Sequence, residues 1–159
     1  MKKLYGINLI ELMIVIGIVS ILLLAGSGLF HETVNKTKIE TRVDELATIV
    51  QTARTIAISQ GKTMMLKPLR QNDWSSTIQL LELSNQHAIK DNLTLHHQWQ
   101  WNDKNIQVYW KGFTAKNYIL FHPQLNKNAA NGYFTVSANN MSEKLILNRL
   151  GRPRTEHIE

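Results

Sequence analysis

An unbroken apolar run lies near the start of the chain. Residues 12–30 read LMIVIGIVSILLLAGSGLF, which is 19 residues without a charge. A helix rises about 1.5 Å per residue, so a helix of this length spans the ~30 Å hydrocarbon core of a bilayer. The pattern therefore predicts a transmembrane helix.

Helical spacing of apolar residues continues beyond this run. The recurring apolar positions are Val34, Ile39, Val43, Leu46, Ile49, Val50, Ala53, Ile56 and Ala57. Charged residues fall largely between them, namely Lys36, Lys38, Glu40, Arg42, Asp44 and Glu45. Such a pattern is typical of a helix that buries one side against a sheet. Because Gly61 is a natural helix stop, we predict one helix from about Ile7 to Ser59.

After Gly61 the pattern changes to short alternating segments, separated by clusters of Asn, Gly and Lys. We predict strands at 63–69, 93–101 with a slip at His96 and His97, 106–111, 118–122, 133–137 and 144–148. Residues 75–84 are ambiguous. Turn-forming clusters between short strands are typical of an antiparallel meander. The chain thus predicts an α+β fold, in which a long N-terminal helix, transmembrane and then amphipathic, packs on a small antiparallel β-sheet head.

Composition narrows the possible chemistry. The chain of 159 residues contains no cysteine, which excludes disulfides and cysteine-ligated zinc. Its formal net charge is +6, and Lys2 and Lys3 supply two of these charges. An excess of this size permits an anionic partner but does not require one.

No pattern in the sequence points to catalysis. The chain lacks the G-x-S-x-G, H-E-x-x-H and P-loop motifs. His96 and His97 are adjacent and face opposite sides of a strand, so they do not chelate one metal together. Trp74, Trp99, Trp101 and Trp110 offer surfaces for base stacking, but packing in the core or on the sheet is the favoured interpretation. We expect a non-enzymatic protein without cofactor or metal.

A single carboxylate, Glu11, immediately precedes the apolar run. A charge at this position is costly in a membrane and suggests a function. If the chain is cut after Gly6, Glu11 becomes the fifth residue of the mature protein, close to the free amine of Ile7 and to the positive end of the helix. An uncleaved anchor, with Lys2 and Lys3 inside and Glu11 at the lipid interface, fits the residues equally well.

Residues 6–16, GINLIELMIVI, resemble the N-terminal motif of type IV pilins and pseudopilins. The chain departs from the usual Phe-Thr pair of that motif at Ile7 and Asn8. The resemblance implies that Gly6 is recognised by a prepilin peptidase, that Ile7 becomes the N-methylated first residue, and that Glu11 is needed for assembly.

The same resemblance implies three segments. Residues 1–6 are a prepilin leader, residues 7–30 are the transmembrane part of the helix, and residues 31–159 form a periplasmic or extracellular head that includes the rest of the helix. The implied location is the bacterial inner membrane, crossed once, before incorporation into a pilus or pseudopilus. The implied partners are membrane lipid, the prepilin peptidase, and other major and minor pilins.

The head resembles the GspH/FimT branch of minor pseudopilins. The resemblance rests on the order of Asp73-Trp74-Ser75, residues 119–123, residues 132–136 and the closing stretch 144–154. It is greatest toward the FimT-type minor pilins of naturally competent bacteria.

The closing stretch contains a compact basic cluster, formed by Arg149, Arg152 and Arg154. Gly151 permits an unusual backbone and Pro153 prevents a helix, so the segment is predicted to be a turn or an extended tail. In an extended chain Arg152 and Arg154 project to one side, ~6–7 Å apart, which suits successive phosphates. Charge alone fits a solvated tail better, since carboxylates at its end partly neutralise it.

The Gly-Arg-x-Arg pattern of residues 151–154 resembles the motif that FimT-type pilins use to bind DNA during uptake. The resemblance implies sequence-independent contact with the DNA backbone in natural transformation, with Lys111, Lys116 and Lys127 as weaker candidates for an extension of the site. The alternative is a structural minor pseudopilin, in a type IV pilus or a type II secretion system, that does not bind DNA.

Overall fold

The computed structural model describes residues 8–83, 93–124 and 127–157, without the side chains of residues 24–32 and 157. The described residues form one α-helix and eight strands. Their bounds are α1 Leu9–Gln60, β1 Thr63–Pro68, β2 Thr77–Leu83, β3 Leu93–Gln100, β4 Gln107–Gly112, β5 Ile119–Phe121, β6 Gly132–Ala138, β7 Met141–Leu147 and β8 Pro153–His157. By compactness the chain divides into one unit that ends at Lys36 and one that begins at Thr37.

The first unit contains the start of α1. Asn8 caps it, because its side-chain oxygen accepts a hydrogen bond from the Ile10 amide at 3.4 Å and its carbonyl accepts one from the Glu11 amide at 2.9 Å. The apolar side chains from Leu9 to Leu23 are exposed. Among the described residues no helix meets the length and hydropathy that a membrane span requires. The transmembrane helix over residues 12–30 therefore stays a prediction.

The second unit contains two antiparallel sheets. One has the strand order β3-β2-β1-β5 and the other has the order β4-β6-β7-β8. The ambiguous segment 75–84 supplies β2, which pairs with both β1 and β3. The predicted slip is confirmed, because Leu80 pairs with His97 and Leu81 pairs with Leu95, which leaves His96 as the extra residue of a β-bulge.

One hydrophobic core joins α1 to both sheets. The predicted apolar side of the helix is confirmed from Ile39 to Ala57, and it packs with buried residues of β1, β2, β4, β5, β6 and β7. The helix ends as predicted at Gly61, whose φ is +65°. The next amide, that of Lys62, donates to the carbonyl of Ala57 at 3.2 Å and closes the last turn.

Arg42, one of the charged residues that lie between the apolar positions of the helix, is buried. Only 6% of this residue is exposed, its guanidinium lies 4.4 Å from the centre of the Trp101 ring, and its Nε lies 3.2 Å from Oε2 of Glu45. Burial lowers the pKa of Arg42, while the carboxylates of Glu45 and Asp103 oppose this shift. Arg42 is thus a structural residue of the core boundary.

Candidate nucleic-acid interface

The C-terminal basic segment is built into a sheet and is not a free tail. Pro153–His157 forms β8, the edge strand that pairs with β7 from Leu147↔Pro153 to Glu143↔His157. The predicted extended segment is therefore an edge strand, and its arginines remain exposed to solvent as in the solvated-tail alternative. Pairing with a strand from the core fixes the backbone on which Arg154 is carried, and Arg152 immediately precedes that strand.

A short turn joins β7 to β8 and presents the first arginines. Asn148 organises it, because its Oδ1 accepts hydrogen bonds of 2.9 Å from the amides of both Leu150 and Arg152. The Gly151 amide donates to the Asn148 carbonyl at 2.9 Å, and the Asn148 amide donates to the Arg152 carbonyl at 3.2 Å. Gly151 has a φ of +71°. This is the three-residue hairpin connection that ends on a left-handed glycine.

The turn is also held against the core. Gly151 is buried, and a β-carbon built on it would lie 2.8 Å from Phe121 and 3.5 Å from the β-carbon of Ala130. The side-chain Nδ2 of Asn128 donates to the carbonyl of Leu150 at 3.4 Å. The predicted unusual backbone at Gly151 is confirmed. Its role in the motif is to set the turn, while the charge comes from the arginines beside it.

The three arginines of the segment are exposed. Arg149 lies in the turn, Arg152 follows Gly151, and Arg154 lies in β8. Pro153 between the last two pairs with the buried Leu147 on the inner side of the sheet. Arg154 lies 3.7 Å from Glu156, in an ion pair whose members are 77% and 55% exposed. An exposed pair of this kind contributes little stability, so a phosphate competes easily for the guanidinium.

The three candidate lysines lie at different distances from this turn along the fold. Lys111 lies on the exposed side of β4, and Lys116 lies in the connection between β4 and β5. Both lysines line one surface cavity. Lys127 is exposed and adjoins Asn128, whose side-chain amide contacts the turn at Leu150. Lys127 thus adjoins in sequence a residue that contacts the turn, whereas Lys111 and Lys116 lie together at β4, the strand at the opposite edge of the sheet.

The outward side of this sheet adds Tyr133, Ile146 and Lys144 to the residues indicated by the sequence. Strand pairing aligns Lys111, Tyr133, Ile146 and Arg154 in one row across all four strands. Lys144 lies in the next row. The alternation of Gln107, Tyr109 and Lys111 with buried neighbours was a usable signal for β4, but the partners opposite them are set only by register.

Tryptophan packing agrees with the favoured interpretation. Trp74 is 1% exposed and lies at 5.2 Å, centre to centre, from Phe134. Trp99, Trp101 and Trp110 are half-buried and pack against the core. Within the described part of the chain, no three His, Asp or Glu side chains are close enough together to hold a metal ion.

A comparison with known protein families identifies the chain. Residues 42–151 match the family described as Type II transport protein GspH. This chain belongs to the GspH family. The matched residues contain strands β1 to β7 of the two sheets and end at Gly151, so they include neither Arg152 and Arg154 nor the N-terminal motif.

The GspH-family fold also occurs in crystal structures of the type IV minor pilin FimU from Pseudomonas aeruginosa. One crystal form gives a TM-score of 0.58 at 17% identity, covering 74% of this chain and 91% of FimU. Another crystal form gives a TM-score of 0.59 at 15% identity, covering 78% of this chain and 90% of the FimU chain. These similarities show the pilin-like α+β fold. A search of curated protein sequences gave no match.

In this GspH-family chain, Glu11 lies exposed in the first turn of α1. The helix begins two residues before it, at Leu9, with Asn8 as the cap. The departure from the usual motif at Asn8 thus supplies a residue type that is strongly preferred at helix starts. Gly6 and Ile7 lie outside the described residues.

Proposed function

We propose that this GspH-family protein is a minor type IV pilin that binds extracellular DNA without sequence preference and supports its uptake in natural transformation. The observation that carries the proposal is the turn at residues 148–152. It is fixed by Asn148, packed on the core through Gly151, and leaves Arg149, Arg152 and Arg154 exposed. A turn so anchored carries the arginines on a fixed backbone, so that binding has to order only their side chains.

Guanidinium groups favour phosphate, because they are planar, always charged and able to donate two parallel hydrogen bonds. Contacts to phosphate carry no sequence information, so one site serves any DNA. With about three phosphates neutralised, the affinity of one copy is in the micromolar range or weaker that is typical of non-specific binding. Several copies in one fibre raise it through avidity.

The remaining parts of the proposal follow the pilin-like N-terminus. A prepilin peptidase removes residues 1–6, and residues 7–30 hold the protein in the inner membrane with its head in the periplasm. Glu11 then assists entry into the fibre by pairing with an N-terminal amine of a neighbouring pilin. FimU, which has the same fold at low identity, is a type IV minor pilin. That similarity supports the assignment to a fibre.

A DNA titration tests the proposal. Full-length protein in a non-ionic detergent is titrated into a labelled mixed-sequence oligonucleotide, as a single strand and as a duplex, at several salt concentrations. We expect binding whose log K falls linearly with log salt and does not depend on sequence. Absence of binding to either form at low salt would reject the proposal.

The second candidate is a structural pseudopilin of type II secretion or of a pilus, acting through protein contacts alone. The observation in its favour is the family match itself, since the printed description of that family is a type II transport protein. The same titration separates the two candidates, because a structural pseudopilin has no reason to bind DNA.

A further inference from the structure

The outward side of the β4-β6-β7-β8 sheet combines exposed rings with cations. We call it the basic aromatic face, and it consists of Tyr109, Lys111, Phe113, Tyr133, Lys144 and Arg154. Along β4 and the residue that follows it, Tyr109, Lys111 and Phe113 give a ring, a cation and a ring at alternate positions. Phe113 lies just past the strand, and its amide continues the ladder by donating to the carbonyl of Asn131 at 3.0 Å. Alternate residues of a strand share one side and are ~6–7 Å apart.

The centre of this face is Tyr133. The Nζ atoms of Lys111 and Lys144 lie 5.8 Å and 5.5 Å from the centre of its ring, and the Phe113 ring lies 6.4 Å from it, edge-on. Two cations therefore lie near one ring, and one of them, Lys144, is the cross-strand partner of Glu156.

The two outer rings are more open. Tyr109 is 57% exposed and Phe113 is 69% exposed, so both have surface available for stacking. They flank Lys111, which is exposed as well. Neither ring is needed for the core, whose aromatic members are Trp74, Phe121 and Phe134.

The charge of the face is complementary to a phosphate backbone. Among the described residues on the outward side of the four strands, the cations are Lys111, Lys144 and Arg154, and the only carboxylate is Glu156, which lies beside the last two and leaves an excess of positive charge. Glu143 of β7 is buried on the opposite side of the sheet. Rings between cations are the arrangement that binds single strands, where bases stack on aromatic side chains and phosphates meet the charges. In a duplex the base faces are already stacked on each other and are not available.

We propose that the basic aromatic face binds single-stranded DNA, with bases stacked on Tyr109 and Phe113 and phosphates at Lys111, Lys144 and Arg154. This inference rests on the proposed DNA-binding function and adds the form of DNA that the site prefers. The turn with Arg149 and Arg152 adjoins the Arg154 end of the face, so one strand is able to run from the turn across the sheet to β4.

The test compares ring-removing with ring-keeping variants in the full chain. Tyr109→Leu with Phe113→Leu removes both stacking surfaces and no charge. We expect its affinity for the single-stranded oligonucleotide to fall about fivefold or more, with an unchanged salt slope and unchanged duplex binding. Tyr109→Phe with Phe113→Trp keeps the rings and should bind as wild type does. Leu95→Ala, an exposed apolar residue of the other sheet, is the matched control.

The outcomes separate this inference from the function on which it rests. If wild-type protein binds neither form of DNA, both are wrong. If wild type binds DNA and the Leu double variant binds single strands equally well, only the stacking inference is overturned. If that variant keeps full single-strand binding but fails to enter pili, the face is a contact between pilins and the inference is likewise overturned.

Discussion

Gly151 and Phe121 are in direct contact, so closely that a β-carbon on the glycine would lie 2.8 Å from Cε1 of the phenylalanine. Phe121 belongs to β5 in one sheet, and Gly151 lies in the turn before β8 in the other. The contact ties the arginine-bearing turn to the core. Gly61 has a similar φ, +65° against +71°, but no atom beyond its two chain neighbours lies within 4 Å of a β-carbon built there. The two glycines therefore form a matched pair.

We expect Gly151→Ala to destabilise the protein by about 2–4 kcal/mol, because alanine adds left-handed backbone strain of ~1–2 kcal/mol and a clash with Phe121. Gly61→Ala should lower the free energy of unfolding only by the left-handed backbone strain. Urea denaturation followed by tryptophan fluorescence measures both. Equal losses for the two variants would show that Phe121 gives way and that the contact does not hold the turn.

The double change of Arg152 and Arg154 to Gln tests the proposed phosphate contacts. We expect weaker binding to every DNA sequence and a salt slope shallower by ~1.4–1.8 units, from about 0.7 per phosphate for single strands and 0.9 for duplex. DNA titration at several salt concentrations measures this, with circular dichroism to confirm folding. Transformation should fall while pili still assemble.

The matched control for this pair is Arg70→Gln with Lys104→Gln. Both side chains are exposed and line a cavity at the Gln107 end of β4, whereas the turn adjoins the opposite, Gly132 and Leu147, end of the sheet. The control removes the same charge and should retain most of the affinity. Equal losses in the two double variants would mean that net charge, and not the turn, determines binding.

The buried Arg42 predicts unequal effects for the two members of its ion pair. Glu45→Ala leaves a buried cation with less compensation and removes the carboxylate that accepts the Trp101 indole hydrogen bond at 2.8 Å. We expect the free energy of unfolding to fall by about 1–2 kcal/mol and no more, since Glu45 is half exposed. Arg42→Met keeps the bulk and leaves only an exposed carboxylate, so its cost should stay below about 1 kcal/mol. Urea denaturation measures the free energy of unfolding of both variants. A larger decrease for Arg42→Met than for Glu45→Ala would contradict the prediction.

Glu11→Ala should spare membrane insertion, because it makes the N-terminal segment more apolar. It should reduce incorporation into pili, because the proposed partner of a neighbouring N-terminal amine is removed. Membrane fractionation measures the first effect and immunoblotting of sheared pili measures the second. Incorporation of the variant at the wild-type level would contradict the assembly role.

Processing after Gly6 predicts a mature protein that begins at N-methylated Ile7. The prediction rests on the pilin-like order of residues 6–16. Mass spectrometry of protein isolated from native membranes measures the N-terminal mass directly. Recovery of only the intact Met1 form from cells with an active prepilin peptidase would count against it.

Local sequence patterns were sufficient for most of the secondary structure. The helix from Ile39 to Ala57, its end at Gly61 and the bulge at His96 were all predicted from spacing along the chain. These features depend on neighbours within a few residues, where periodicity and glycine chemistry act directly. The α+β fold class was predicted from these features.

Features that join distant parts of the chain were decided by tertiary structure. Local spacing did not predict that Arg42 packs beneath Trp101, that residues 153–157 complete a sheet, or that Lys111 and Arg154 lie in one row with Tyr133 between them. The sequence by itself determined which residues alternate and where the chain turns. Only the packed sheet determined which side chains meet, because strand register is set by the burial of a shared core and not by any single strand.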